Sequence, residues 1–421
     1  MSIPSPQLMT RRHFLRTGVV GGALAATLPA FLDQTLMRIE AAEAASVLQR
    51  AHGRDAPIMV LMQLGGGNDG LNTLIPLEND HYRRARPRLG QVENAALRLT
   101  DDVGLHESLT GLKALYDDGL LGIVQGVGYP NPNRSHFRST EIWHTGSPEE
   151  RKQNEGWVGR YFDNYCQGMA PETGISLTDI PPQAFEGAGS MGITFTNPNQ
   201  FRFNDDADLV SGDSIGMAGG FARRDGNDTL AFLERTHLDA RVSSDTLHDT
   251  LRRVPVPGGF PGNRLGSDLS LIARLIGGGM STRVYYCSHG GYDTHANQMG
   301  AHARLLKELG DGLEAFWREM KRQGNERRVC LLVFSEFGRR LAENGSQGTD
   351  HGAAAPLLVM GGGVKGGLHG AAPLLAPNQL VRGDPVHTID FRQVYATVLE
   401  QHLRVGAAPI LGQRFDRVPI L

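Results

Sequence analysis

Two motifs in the second half of the chain set an acid beside a histidine: Gly291-Tyr292-Asp293-Thr294-His295 after one apolar run, and Gly348-Thr349-Asp350-His351-Gly352 some residues beyond the next. Repeated oxygen and nitrogen donors of this kind are what Zn²⁺ or Mn²⁺ accept. His369, in Gly366-Gly367-Leu368-His369-Gly370, follows another glycine-flanked run and offers a further imidazole. Asp69 stands at the head of Gly65-Gly66-Gly67-Asn68-Asp69, where glycines let the backbone approach an ion or a phosphate. Any one of these alone fits a helix cap or a turn. All of them falling behind apolar runs points to one shared site.

A second segment, Arg134-Ser135-His136-Phe137-Arg138, leads into an apparent helix carrying Trp143. Ser135 at a helix N-terminus, with Arg134 and Arg138 beside it, has the composition of a nucleophile flanked by anion-steadying cations; an N-cap serine with exposed arginines reads equally well. In Ser335-Glu336-Phe337-Gly338-Arg339-Arg340, Glu336 either orients a ligating histidine or pairs with Arg339. His106, His136, His144, His289 and His302 are reserve candidates, and Asp390 reads as a helix cap.

Something must hold these residues together. Short, continuous apolar runs end abruptly at them: Ile58 to Leu64, Leu120 to Val127, Val284 to Cys287, Val329 to Phe334 and Pro356 to Met360. Continuous apolar strands are buried on both faces, as in a parallel sheet covered by helices. Helical spacing lies between them, over Glu107 to Asp118, Ser267 to Ile276, His302 to Arg322 and Asp390 to Leu403. The expectation is an α/β fold with a doubly wound, mostly parallel sheet, helices on both faces and a site at the carboxyl ends of the strands. Residues 171–261 read as an inserted cap within a single domain spanning 46–421, with a long polar helix from about Asp228 to Arg253.

The first 45 residues have the order of an export signal. Arg11-Arg12-His13-Phe14-Leu15-Arg16 precedes an apolar run rich in Gly and Ala from Gly18 to Leu32, and then Ala41-Ala42-Glu43-Ala44-Ala45. The pattern resembles a twin-arginine signal, which implies recognition by that translocation machinery, export of the folded chain and a periplasmic or extracellular location. The apolar run is shorter than the ~20 residues a spanning helix needs, so no stable membrane anchor is expected. Basic and acidic residues number 42 and 45, a balance that gives no reason to expect nucleic acid. With three cysteines, two of them (Cys287 and Cys330) inside apolar runs, core thiols are expected rather than a disulfide framework.

Six motifs in order, Gly66-Gly67-Asn68-Asp69-Gly70-Leu71-Asn72, Arg134-Ser135-His136-Phe137, Gly290-Gly291-Tyr292-Asp293-Thr294-His295, Phe334-Ser335-Glu336-Phe337-Gly338-Arg339, Gly348-Thr349-Asp350-His351-Gly352 and Gly361-Gly362-Gly363-Val364-Lys365-Gly366-Gly367, resemble the DUF1501 family of exported bacterial proteins, itself of unknown function. The resemblance runs from about Val60 to Leu403 and brings in the alkaline phosphatase and sulfatase superfamily, with its two-metal site. It implies Asp69 as the first acid, Ser135 as nucleophile, Asp293 and His295 as one ligand set, Asp350 and His351 as a pair, and His369 as the last ligand. Only Thr294 separates Asp293 from His295 where the superfamily has three residues, which leaves His302 and His289 as alternatives to His295. Asp69 lies several residues past its strand.

The expected function is therefore that of an exported, metal-dependent hydrolase, using two divalent ions and Ser135 on a phosphate or sulfate ester of a small molecule or polymer. The rival is an exported binding protein that keeps the fold without turnover. A nicotinamide or flavin enzyme is disfavoured, because Gly65-Gly66-Gly67 lacks the G-x-G-x-x-G pattern and its following acid.

Overall fold

In the computed structural model the described residues are 56–189, 192–201 and 226–421, with side chains in the last stretch from 240 onward; the arginine pair of the export signal lies outside them. Arg50–Leu421 cluster as one compact unit.

The strands, in chain order, are β1 (Ile58–Gly65), β2 (Leu74–Pro76), β3 (Leu97–Arg98), β4 (Val103–Leu105), β5 (Leu121–Gly128), β6 (Gly174–Ser176), β7 (Ile193–Thr194), β8 (Val284–Gly290), β9 (Val329–Phe334), β10 (Arg339–Glu343), β11 (Thr349–His351), β12 (Ala355–Gly361), β13 (Gly367–His369) and β14 (Ile389–Asp390). The main sheet has the order β13-β5-β12-β9-β1-β8-β6-β7, with β14 also on β5. Its apolar strands supply two cores at once. In β1, Ile58, Val60, Met62 and Leu64 enter one core while Met59 and Leu61 enter the other; in β9, Val329, Leu331 and Val333 oppose Cys330, Leu332 and Phe334. That alternation is why neither strand shows a polar face in sequence. The first core is roofed by helices α1 (Thr110–Asp117), α5 (Arg264–Gly277) and α6 (Gln298–Gln323), and the second by α2 (His136–Thr145), α3 (Trp157–Tyr165) and α7 (Phe391–Thr397).

The sheet is mostly parallel, with one exception. β12 runs antiparallel to both β5 and β9. The link from β9 to β12 contains the β10–β11 hairpin and no crossover helix, and a parallel return would need such a crossover. The 171–261 stretch, expected as a cap, gives the main sheet β6 and β7 and then helix α4 (Gly226–Arg253). Asp390 caps α7, its carboxylate accepting from the Arg392 N–H. Cys166, Cys287 and Cys330 are buried free thiols. Among the described residues no helix is long and apolar enough to cross a membrane.

Three neighbours in the order β8-β1-β9 decide where chemistry can happen. Both pairings of β1 are parallel, so the three strands end on the same edge and their following loops lie side by side. Those loops carry Gly66 to Asp69, Gly291 to His295 and Ser335 to Arg339.

Candidate metal centre

The loop after β1 lies directly on the loop after β8. Gly66 has φ +115°, and a Cβ placed there would stand 2.4 Å from the Asp293 nitrogen, so no other residue allows this approach. Ser335 pins the loop from the β9 side, its hydroxyl donating to the Leu64 carbonyl (2.7 Å) and accepting from the Asn68 N–H (2.9 Å). Arg339, whose side chain is fully buried, donates to the carbonyls of Gly67 (2.6 Å), Tyr292 (2.9 Å) and Thr349 (2.7 Å) and to Asp293 Oδ1 (2.8 Å). One guanidinium thereby fixes all three loops and the acid among them.

Around Asp293 gather three histidines. His136, the first residue of α2, has Nε2 3.5 Å from Asp293 Oδ2. His351, at the end of β11, and His295 each bring Nε2 to 3.0 Å from Asp293 Oδ1, and these two nitrogens lie 2.9 Å apart. Donor atoms of His136, Asp293 and His351 all fall within 4.8 Å of one another, and His295 flanks them. All four side chains remain partly open to solvent.

The other ring nitrogen of each histidine meets an oxygen. His351 Nδ1 faces the Arg134 carbonyl (2.9 Å), His136 Nδ1 faces Glu336 Oε1 (2.9 Å), and His295 Nδ1 faces Asp350 Oδ1 (3.4 Å). A carbonyl or carboxylate accepts, so each Nδ1 is placed to donate, and the Nε2 turned toward Asp293 is left either to donate to that carboxylate or to bind a cation. Lone pairs facing each other at 2.9 Å repel unless a cation or a proton lies between them. Zinc bonds of ~2.0–2.1 Å at tetrahedral angles separate donors by about 3.3 Å, so the donors present fit such an ion after an opening of a few tenths of an ångström. Carboxylate and carbonyl partners on the far nitrogen are the usual support of a ligating imidazole. Burial opposes the charge of Asp293, but hydrogen bonds from His351 and Arg339 and the nearby Arg339 charge outweigh it and hold the carboxyl at about 2. The hydrogen bond to Glu336 raises His136 above its ordinary value.

The remaining sequence candidates lie elsewhere. Asp69 is fully buried, with Oδ2 on Arg86 (2.7 Å) and on the Gln298 amide (2.5 Å), so a guanidinium stands where an ion was expected. His369 bonds the Lys365 carbonyl (2.7 Å) on β13 at the far edge of the sheet, with β5, β12 and β9 between it and β1. Asp350 touches the group only through His295 and is otherwise held by Asn344 (3.2 Å). Ser135 is exposed, immediately before His136, and its side chain makes no capping bond. Arg134 grips Asp384, and Arg138 pairs with Glu141 and the carbonyls of Glu149 and Arg151, so neither cation is free for an anion. His289 and His302, the alternatives to His295, bond Glu308 and Asn68. His136, a reserve candidate in the sequence beside Ser135, is the residue whose ring reaches Asp293; its own signal was the position one residue into a helix opposite an acid-histidine motif.

Behind Glu336 lies a buried polar chain. Glu336 accepts from the Gly66 N–H (2.8 Å), the Gln63 amide reaches Glu336 Oε2 (3.4 Å), and Gln63 Oε1 accepts from Tyr286 (2.5 Å) and His144 (3.1 Å). Burial depresses His144 to about 4, and burial likewise depresses His302 to about 4. An unfolded chain takes up these protons as the pH falls through ~6.5, whereas the folded chain resists until about 4. Stability is thus expected to be flat above pH 7 and to fall between pH 6.5 and 4, by on the order of 3 kcal/mol per histidine. A pH series of thermal midpoints on metal-free protein checks this; a midpoint unchanged down to pH 4.5 would contradict it.

Comparison with known proteins gives one family and a set of distant folds. No curated protein matches the chain. Solved structures similar to it include a protein in the alkaline phosphatase superfamily from Vibrio parahaemolyticus (9% identity, 85% of this chain and 69% of that one, TM-score 0.39). They also include the PsFucS1 sulfatase from Pseudoalteromonas sp. (10%, 88% and 71%, TM-score 0.36) and the phosphonate monoester hydrolase of Agrobacterium radiobacter (9%, 85% and 78%, TM-score 0.36). Residues 266–409, the stretch that carries Asp293, His295, Glu336 and His351, match the model of DUF1501, a family described as a protein of unknown function.

Proposed function

We propose that the protein holds one divalent ion, zinc or manganese, between His136, Asp293 and His351 with His295 as a fourth donor, and hydrolyses a phosphate or sulfate ester there. The observation that supports this is the set of three imidazoles, each with Nδ1 facing an oxygen and Nε2 facing one carboxylate. When bound, the ion supplies Lewis acidity toward an ester oxygen. Arg339 and Glu336 hold Asp293 and His136 in place, and Ser135, with its hydroxyl uncommitted beside His136, is the nucleophile offered to the ester. One ion is preferred to two because Arg86 neutralises Asp69 and His369 is remote. The Arg11-Arg12 pair supports export of the folded, ion-loaded chain to the periplasm or cell surface by the twin-arginine machinery.

A panel of aryl phosphates and aryl sulfates tests the reading on zinc- and manganese-loaded protein. Turnover that disappears in Asp293→Asn is expected; turnover that survives the substitution would defeat it. A second reading, an ion-bearing binding protein without turnover, is favoured by Arg134 and Arg138 being engaged away from the site. It predicts ion uptake with no hydrolysis across the same panel.

A further inference from the structure

Residues 381–384 form a tight turn close to the cluster. Val381 and Asp384 exchange backbone hydrogen bonds of 3.1 and 3.0 Å, and the two residues between them, Arg382 and Gly383, have φ of 54° and 86°. Two positive φ values in a two-residue turn favour Asn-Gly. An arginine in the first position is strained.

The turn is fastened to the metal centre from two sides. Arg134, whose carbonyl faces His351, donates to the Arg382 carbonyl (3.3 Å) and to Asp384 (3.0 Å). Arg340, next to the Arg339 that holds Asp293, donates to the same Arg382 carbonyl (2.8 Å), and the Leu341 N–H reaches the Gly383 carbonyl (3.2 Å). Arg134 and Arg340 share one carboxylate, Asp384, so positive charge is in excess beside the cluster. Both of these cations are committed to the turn. Arg382 is exposed, and among the described residues its side chain enters no hydrogen bond or ion pair.

We propose that Arg382 is the anion-recognising side chain of this site, binding a phosphate- or sulfate-class oxyanion on the ligand. The planar guanidinium matches such oxyanions bidentately, and the turn is a rigid mount for it. The assignment rests on the ligand-binding reading above and replaces Arg134 and Arg138 in the steadying role.

Asn suits the turn while removing the charge, so Arg382→Asn separates recognition from folding. Calorimetric titration with inorganic phosphate and with sulfate is carried out on wild type, Arg382→Asn and Arg382→Lys, each with and without zinc. About 10-fold or greater loss of affinity is expected in Arg382→Asn, with an unfolding midpoint no lower than wild type and most affinity kept in Arg382→Lys. Equal affinity in wild type and Arg382→Asn, or no anion binding by wild type, overturns the proposal. Failure to take up zinc defeats the metal reading alone, and the anion comparison on metal-free protein then decides this one.

Discussion

His351→Ala is expected to weaken zinc binding by roughly 60- to 700-fold. Apparent zinc binding free energies of ~10–16 kcal/mol divided over four donors give about 2.5–4 kcal/mol for each, at 1.4 kcal/mol per tenfold. His351 is the most informative of the four because its tautomer is fixed by a backbone carbonyl, that of Arg134, which no side-chain substitution removes. Two controls set the scale. Glu336→Gln changes the oxygen that meets His136 Nδ1 but leaves every donor to the ion, and should cost about 10-fold. His369→Ala, on the far edge of the sheet, should cost nothing. Competition titration with a zinc chelator reads all three, and a His369→Ala loss equal to that of His351→Ala would mean that the donor set has been drawn wrongly.

Removing Arg86 should be the most damaging single change to stability away from the apolar cores. Its side chain is fully buried, and it holds Asp69 Oδ2 (2.7 Å), Asn72 (2.5 Å) and the carbonyls of Leu341 (2.8 Å) and Arg340 (2.8 Å). Asp69 Oδ1 already lacks a hydrogen-bond partner. Burial acts against the Asp69 charge, and the Arg86 guanidinium overcomes it and keeps the carboxyl below its usual range. Arg86→Met would strand that carboxylate, at a cost of about 3–5 kcal/mol. Adding Asp69→Asn should recover much of the loss, since a buried pair removed together costs far less than half a pair. Urea unfolding of the two variants checks this. A cost below about 1 kcal/mol for Arg86→Met would contradict it, the range of an ordinary surface change. Zinc affinity should stay at wild-type level in both folded variants, which separates this pair from the ion site.

Much of this arrangement could be read from the chain before folding was considered. Apolar runs ending in glycine and acid placed β1, β5, β8 and β9 correctly, because a strand buried on both faces has no polar residue to obscure it. Asp293 and His295 were visible for the same reason, following a strand that ends on the shared edge, and His351 by standing beside Asp350, although it lies on the β10–β11 hairpin. What could not be read depends on partners distant in sequence. Asp69 has the right type and place for a ligand, and only the folded chain shows Arg86 on it. Ser135 drew attention by its chemistry, whereas the residue whose ring reaches Asp293 is the next one, His136, and that follows from where α2 starts. The direction of β12 was hidden because an apolar run carries no sign of direction; the missing crossover helix before it was the available clue. Arg382 and Gly383 drew no notice because a turn residue acquires meaning only from what its backbone is fastened to.

The central claim is one ion held by His136, Asp293, His295 and His351. Metal analysis of protein purified from cells without chelator, expressed as ions per chain and repeated on Asp293→Ala, tests it most directly. The account predicts one zinc or manganese per wild-type chain and essentially none in the variant; two ions per chain, none in the wild type, or full occupancy in Asp293→Ala would contradict it.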